Sequence, residues 1–271
     1  MVSYLFLFGP VLVFTISLSG WAIIPQSNGF MLSSNLLDSF VTFVFGGLSV
    51  YGLIFSGWAS NSRYSFLGSV RAVAQVLSYE LSYGMVNVII GFFSGTFNYS
   101  EIVASQQDVW YIFPLFPVAL GFLILMLAET NRTPFDLAEA EAELVAGYNV
   151  EYSGIMFALF FLGEYANMLQ LAVNFVIYFL GGWLTIPGFC WLGEFVTFML
   201  KIMVVCMFFI WVRATLPRYR YDQLLQIGWK DLLPLLFGLF FFYVGINIAF
   251  DLKYVSMKSI VDYYEFSNCI L

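Results

Sequence analysis

The sequence predicts an all-α integral membrane protein: seven transmembrane helices in a single bundle, with polar loops on the matrix or cytoplasmic side. Hydrophobic residues make up 61% of its 271 residues, and its mean hydropathy is +0.88. No soluble fold of this size buries that much apolar surface. Long apolar runs then mark the spans, because a helix that crosses a hydrocarbon layer about 30 Å thick needs about 20 such residues.

The predicted spans are the seven apolar runs of the chain. They are Tyr4–Ile24, Phe40–Trp58, Leu77–Phe93, Ile112–Ala128, Ile155–Leu180, Phe195–Trp211 and Leu232–Phe250. The third run is the weakest, because it is short and contains Glu80. All seven tryptophans fall within a few residues of the end of a run, which agrees with the preference of indole rings for the membrane interface.

The chain is predicted to form one membrane domain over residues 1–250, since no linker or low-complexity tract divides it. Basic residues concentrate in the connections 59–76, 129–154 and 212–231. By the positive-inside rule these loops face the matrix or cytoplasm. The amino terminus shares that side, and a carboxyl-terminal tail over residues 251–271 lies opposite.

Composition also excludes several classes of function. The net charge of −7 argues against nucleic-acid binding. The three cysteines, Cys190, Cys206 and Cys269, are widely scattered, and the sequence contains no histidine. Neither a zinc site, an iron–sulfur cluster nor a haem is therefore predicted, so we expect this chain to bind no metal or redox cofactor of its own.

Acidic residues concentrate in one window, AETNRTPFDLAEAEAELVAGYNVEYSG, residues 128–154, although only 10% of the chain is charged. Thr133-Pro134 predicts the start of a short helix, on which Asp136, Glu139 and Glu143 share one face and Glu141 points elsewhere. Carboxylates crowded in this way can hold and pass protons as a coupled set. The alternative is a solvated acidic loop.

Glu164 is predicted to lie ten residues into its span, roughly 15 Å deep. A charge at that depth costs about 2.5–3.5 kcal/mol on an insertion scale. Asn167, Gln170 or Leu171, and Asn174 follow at helical spacing, so a polar stripe faces the interior of the bundle. Interhelical hydrogen bonds to a neutral Glu164 are the alternative, but intramembrane ionisable residues favour a functional role.

Two further charged residues lie inside predicted spans. Glu80 is an acid within QVLSYELSYG, and Lys201 is either a counter-charge for one of the acids or a base that extends to the interface. Glu129 and the acidic window, Glu80 and Glu164 are predicted to form a line from the basic-side surface to the membrane centre, as in a proton relay. The segment RATLPRYRYDQ, residues 213–223, would suit a polar ring, a lipid phosphate or a soluble partner.

Three stretches closely resemble the family of NADH dehydrogenase subunit 1, the quinone-site membrane subunit of respiratory complex I. They are GWASNSRYSFLGSVRAVAQVLSYE (57–80), the acidic window continued by FALFFLGEYANM (157–168), and WVRATLPRYRYDQL (211–224). The resemblance is collinear from about residue 5 to residue 250. It implies a core subunit of a proton-pumping NADH:ubiquinone oxidoreductase in the mitochondrial inner membrane, or in a bacterial plasma membrane.

The resemblance also implies roles for particular residues. The relay positions are Glu80, Glu129, Asp136, Glu139, Glu141, Glu143 and Glu164, and Lys201 matches a lysine of the family. Arg71, Arg132, Arg218 and Arg220 are placed near the quinone chamber or the docking surface. Ubiquinone is the implied substrate. FMN and iron–sulfur clusters are expected in partner subunits, and the isolated chain is expected to have no catalytic activity.

One departure from the family concerns the amino-terminal region. The family begins with an additional transmembrane helix and a basic segment that shapes the quinone entrance, and the present sequence opens on what resembles the second helix. We expect a separate chain to supply that helix. Three other functions are weighed against the complex I role: a subunit of a membrane-bound hydrogenase-type complex, a stand-alone proton-coupled transporter, and a structural anchor.

Overall fold

The structure is a computed structural model, and it describes residues 2–27, 35–132, 134–135, 151–185 and 193–250. Within these residues the fold is a bundle of α-helices. The helices are α1 Val2–Trp21, α2 Asp38–Ala59, α3 Arg63–Ser94, α4 Tyr99–Ala104, α5 Phe116–Glu129, α6 Ile155–Phe179, α7 Glu194–Thr215, α8 Tyr221–Gln226 and α9 Leu233–Phe250. A π-helical segment, Ile227–Leu232, joins α8 to α9.

Six of the described helical segments are long and apolar enough to cross a membrane. They are Tyr4–Trp21, Asp38–Ala59, Arg63–Ser94, Ile155–Phe179, Glu194–Thr215 and Tyr221–Ala249. A seventh apolar helix, Phe116–Glu129, is shorter. The predicted class, an all-α multi-pass membrane protein, is confirmed, whereas the predicted boundaries differ at three places.

The third predicted span, Leu77–Phe93, is only the second half of α3, which has 32 residues. At 1.5 Å per residue α3 is about 48 Å long and extends beyond a hydrocarbon layer of about 30 Å. Its first half is too polar to register as an apolar run, yet it is helical from the cap onwards. Ser62 caps it, since the side-chain oxygen accepts a hydrogen bond from the Ser65 amide at 3.2 Å.

The fourth predicted span, Ile112–Ala128, contains a helix of only 14 residues. Prolines explain the difference: Pro114 lies in a stretch of turns, and Pro117 occupies the first turn of α5, where its missing amide costs nothing. The last span begins earlier than predicted, because helical backbone is continuous from Tyr221 through the π-helical segment to Phe250.

Aromatic rings form the centre of the bundle. Phe122 of α5 is fully buried, and its ring lies 5.5 Å from that of Tyr83 and 5.8–6.1 Å from the rings of Phe175, Tyr178 and Phe179. These contacts fix α5 between α3 and α6. One face of the short helix is therefore held against both longer helices, and its last residue, Glu129, lies beside them.

Helix α1 packs on α2 and on α6 through small residues. A Cβ atom added to Gly52 would overlap a Val13 methyl and lie 3.2 Å from the Gly9 carbonyl oxygen. A Cβ added to Gly163 would lie 3.0 Å from the other Val13 methyl. Such close approach is how helices associate where surrounding lipid is as apolar as leucine. Val13 is thereby wedged between α2 and α6.

This packing gives a testable prediction. Gly52→Val should lower the thermal midpoint of the assembled protein by several degrees, because overpacking costs about 1–3 kcal/mol. Gly238→Val is the matched control, since Gly238 also lies in an apolar helix and a Cβ there meets nothing within 4 Å. Equal midpoints for the two variants, measured in native membranes, would contradict the described crossing of α1 and α2.

Candidate functional site

A polar cavity of about 70 Å³ lies between α2, α3, α6 and the end of α5. Helix α6 contributes the predicted stripe: Glu164, Asn167, Gln170, Leu171 and Asn174 all line the cavity. The stripe therefore faces the interior, as its spacing predicts. A water takes about 30 Å³ in the liquid, so the cavity has room for at least two waters among groups that can bind them.

Helix α2 supplies the opposite wall. Thr42, Gly46, Ser49 and Leu53 lie on one face of α2 because they are spaced by three or four residues, and all four line the cavity. Val13 of α1 covers the side between α2 and α6. The wall towards lipid is thus apolar, and the polar groups converge inside it.

Glu129 ends α5 at the rim of the same cavity, together with Thr130 and Asn131. The two predicted acids Glu129 and Glu164, which are far apart in sequence, consequently share one cavity. Among the described residues the Glu129 Oε2 atom is buried and has no hydrogen-bond partner. Its other carboxylate oxygen lies near α2, because a Cβ added to Gly46 would be 3.9 Å from Oε1.

Glu80 joins this acidic group from α3. Its carboxylate lies against α2 at Gly47, and it is near enough to Glu129 for the two carboxylates to repel each other. Val76 and Tyr83, the α3 residues that line the cavity, are on the same helix face as Glu80. The structure therefore places Glu129 and Glu164 on one cavity, and it places the Glu80 carboxylate against α2 at Gly47, the residue after the cavity-lining Gly46.

A network of hydrogen bonds closes the cavity at the other end. The Asn174 amide donates to the Tyr83 hydroxyl at 3.0 Å, and the Tyr99 hydroxyl donates to the Asn174 carbonyl oxygen at 3.2 Å. Tyr99 also shares a hydrogen bond with Thr42. Burial raises the pKa of the Tyr99 hydroxyl above its ordinary value, so this group stays neutral and serves as a donor.

The chain after Glu129 turns through a Schellman motif, in which Asn131 has a left-handed backbone with φ of 50°. The Arg132 amide donates to the Leu127 carbonyl at 3.2 Å, and the Asn131 amide to the Ala128 carbonyl at 3.4 Å. Gln75 of α3 secures the turn by donating to the carbonyls of Ala128 and Phe135 at 2.9 Å each. The position of Glu129 is therefore fixed by the backbone around it.

Of the four predicted arginines, Arg132 is the one that lies in this turn. The Arg132 guanidinium lies 4.6 Å from the centre of the ring of Tyr165, the residue that follows Glu164 in α6. The Arg71 guanidinium lies 5.9 Å from the centre of the Tyr221 ring. Arg218 and Arg220 are exposed on the segment between α7 and α8. The structure thus brings Arg132 to the acids and leaves the other three at or near the surface.

The segment between α7 and α8 packs on the loop that follows α5. The Tyr219 amide donates to the Pro134 carbonyl at 3.0 Å, and the Tyr219 ring stacks on Phe135 at 5.7 Å. The Tyr79 hydroxyl of α3 donates to the Leu224 carbonyl at 2.8 Å. An arginine- and tyrosine-bearing surface consequently adjoins the acidic cavity.

Lys201 lies elsewhere. Its ammonium donates three hydrogen bonds to backbone carbonyls, those of Leu180 at 2.7 Å, Gly182 at 3.0 Å and Leu184 at 2.7 Å. It also lies 4.6 Å from the Trp110 ring. All three of its N–H donors are used, and Leu180 is about 24 Å along α6 from Glu164. The structure does not bring Lys201 to the acids; instead the lysine caps the negative end of α6.

Four predicted relay residues, Asp136, Glu139, Glu141 and Glu143, lie outside the described residues. Other site residues were not predicted from the sequence: Thr42, Gly46, Gly47 and Ser49 of α2, and the Tyr83–Tyr99 pair. The i, i+4, i+7 spacing of Thr42, Gly46 and Ser49 is the signal that could have found the α2 wall. It is weak, because small residues also occur wherever two helices simply pack closely.

The fold and the site define a multi-pass α-helical membrane protein with buried carboxylates around a polar cavity. Residues 1–244 match the family model described as NADH dehydrogenase. The chain is similar to NADH-ubiquinone oxidoreductase chain 1 of Chondrus crispus, with 48% identity over 91% of this chain and 77% of the relative. It is also similar to the Arabidopsis thaliana protein of the same name, with 50% identity over 86% of this chain and 72% of the relative.

A bacterial relative gives the same result. A NADH-quinone oxidoreductase subunit of Paramagnetospirillum magneticum is 51% identical over 87% of this chain and 69% of the relative. The chain therefore belongs to the NADH dehydrogenase subunit 1 family, the membrane subunits of NADH:quinone oxidoreductase known as complex I.

The capping role of Lys201 is testable. Lys201→Met keeps the length of the side chain but leaves three buried carbonyls without donors, and each unsatisfied group costs about 1–3 kcal/mol. We expect a clearly lower thermal midpoint of the assembled protein. Lys230→Met, at an exposed lysine, is the control. A Lys201→Met midpoint equal to that of the control would contradict the capping role.

Proposed function

We propose that this chain forms part of the quinone chamber of complex I and contains the acidic relay that links quinone reduction to proton translocation. The observation that carries the proposal is the cavity shared by Glu129 and Glu164, with the Glu80 carboxylate beside it. Carboxylates within membrane helices or at their ends cost free energy, so a chain that keeps three of them is expected to use them for a function.

The chemistry of the cavity supports proton transfer. A carboxylate and its protonated form exchange a proton readily through one or two waters, and the cavity has that space. Asn167 and Gln170, which line the same cavity, have amide groups that can orient such waters but do not themselves titrate. The proton therefore moves between carboxylates, and the amides define its route.

The quinone chamber is proposed on the side of the arginines. Arg132 continues the turn after Glu129, and Tyr219 and Phe135 stack beside it. Aromatic rings with guanidinium groups suit a flat, polar head group of the quinone type. Glu129 at the rim of the cavity then lies between this chamber and Glu164, so charge changes at the quinone act first on Glu129.

The proposal assigns electrons to other subunits. Among the described residues no group of His, Cys, Asp or Glu is arranged to hold a metal ion. FMN and iron–sulfur clusters are proposed in partner subunits, and the chain itself is proposed to be inactive alone. The exposed Arg218 and Arg220 are proposed to contact a peripheral partner of this kind.

Substitution of the acids tests the relay. Glu164→Gln keeps the shape of the side chain and removes its proton-binding charge, so proton-coupled quinone reduction should fall about tenfold or more while the complex still assembles. Glu194→Gln, at an exposed acid that begins α7, is the control. NADH-driven quinone reduction and proton uptake are measured in sealed membranes, and normal pumping by Glu164→Gln would remove Glu164 from the relay.

Native electrophoresis tests membership of the complex. The band that contains this chain should oxidise NADH in the gel, and mass spectrometry should find flavin- and iron–sulfur-binding chains in it. A band in which the chain runs alone, or with partners that carry no redox centres, would contradict the proposal and favour a transporter or an anchor. A nickel-containing partner would favour the hydrogenase-type alternative.

A further inference from the structure

The Glu80 carboxylate occupies the place of a missing side chain on α2. A Cβ atom added to Gly47 would overlap Glu80 Oε1 and would lie 3.1 Å from its Cδ and 3.4 Å from Oε2. These are the three nearest heavy atoms to that position outside its own helix neighbourhood. The space that a side chain at residue 47 would fill is therefore filled by a carboxylate from α3.

Gly46, the residue before Gly47, lies near a different acid, Glu129, and at a greater distance. A Cβ added to Gly46 would meet only the Glu129 Oε1 atom, at 3.9 Å, which is ordinary van der Waals contact. Gly46 lines the cavity, and Gly47 is the next residue of the helix. Gly46 thus faces the Glu129 carboxylate, and Gly47 faces the Glu80 carboxylate. Only at Gly47 does a carboxylate already fill the space that a Cβ atom would take.

Helix packing does not account for Gly47. At Gly52 of the same helix, an added Cβ would collide with Val13 and approach the Gly9 backbone, so that glycine is needed for α1 to pack. At Gly47 the added Cβ would collide with the end of a flexible side chain, which can move aside. Replacing Gly47 by alanine should therefore displace a carboxylate and leave the helices in place.

A second observation concerns Glu129, on which the position of the Glu80 carboxylate acts. Glu129 is half-buried, and among the described residues its buried Oε2 atom has no hydrogen-bond partner. Glu80 is the charged group that acts on Glu129 electrostatically. Where Glu80 rests on α2 consequently decides how far its charge, or its proton, lies from Glu129.

We propose that Gly47 is a positioning residue for the relay: its missing side chain lets the Glu80 carboxylate rest against α2 beside Glu129, where the two acids exchange a proton. The inference rests on the proposed function. It adds a requirement to that function: Glu80 must be present, and its carboxylate must also lie in the space beside Gly47.

The test compares alanine variants of two helix glycines, Gly47 and Gly238, in the assembled complex. Gly47→Ala should lower proton-coupled quinone reduction about tenfold to a hundredfold, because misplacing a reacting group by about 1 Å has that effect. Gly238→Ala, at a helix glycine that does not line the cavity and where a Cβ meets nothing within 4 Å, should change it by no more than about twofold. Alanine favours helix equally at both positions, so helix propensity cannot explain a difference.

Two measurements separate positioning from general damage. NADH-driven reduction of ferricyanide, which needs no path through the membrane, should be unchanged in both variants. In a Glu80→Gln background, Gly47→Ala should add no further loss, because the group that it displaces no longer carries a proton. A full additional loss in that background would overturn the inference.

The remaining outcomes are also decisive. If Glu80→Gln, Glu129→Gln and Glu164→Gln all leave coupled activity unchanged, the proposed function fails. If those three variants are impaired but Gly47→Ala matches Gly238→Ala, only the present inference fails. Should Gly47→Ala not assemble, Glu80→Asp replaces it, since shortening the side chain withdraws the carboxylate from Gly47 without altering α2. Full activity of Glu80→Asp would then overturn the inference.

Discussion

The arrangement of the bundle depends on one constraint: a carboxylate at membrane depth must be kept away from lipid. Its charge is too costly in hydrocarbon, so the helices around it must separate it from lipid. Helix α1 completes that enclosure, because Val13 is wedged between α2 and α6 over the cavity. The small residues Gly52 and Gly163 follow from the same constraint, since larger side chains would hold α1 away and open the cavity to lipid.

The ends of two helices turn this enclosure into a defined site. Helix α6 ends where Lys201, Gln106 and the Ile112 amide bind its last carbonyls, and α5 ends in the turn built on Asn131. Helix ends otherwise leave four backbone groups unsatisfied, which is expensive inside a membrane. With both ends bound, α5 and α6 have fixed positions along the bundle. Glu129 and Glu164 therefore meet the same cavity although 34 intervening residues separate them in sequence.

How much of this could be predicted differs from element to element. Hydropathy identified the membrane helices, and the stripe from Glu164 to Asn174 correctly indicated which face of α6 is inside. Hydropathy failed at α5, where prolines shorten the helix, and in the first half of α3, which is helical despite its polar residues. The capping role of Lys201 could not be predicted, because its partners are backbone carbonyls and no pattern of side chains in the sequence indicates them. The role of Gly47 was invisible for a similar reason: it depends on a carboxylate from another helix.

The two ends of the cavity differ in how completely their polar groups are satisfied. At one end Thr42, Tyr99, Asn174 and Tyr83 form a continuous hydrogen-bonded network, which is rigid. At the other end the Glu129 Oε2, Asn131 Oδ1 and Arg132 Nη2 atoms are buried without partners among the described residues. Each such atom would cost about 1–3 kcal/mol if it stayed unbonded, so a hydrogen-bonding partner outside the described residues, either another part of the chain, water or a ligand, is expected there. In the proposed relay, proton entry is therefore expected at the loop end, because the polar groups at the other end already bind one another.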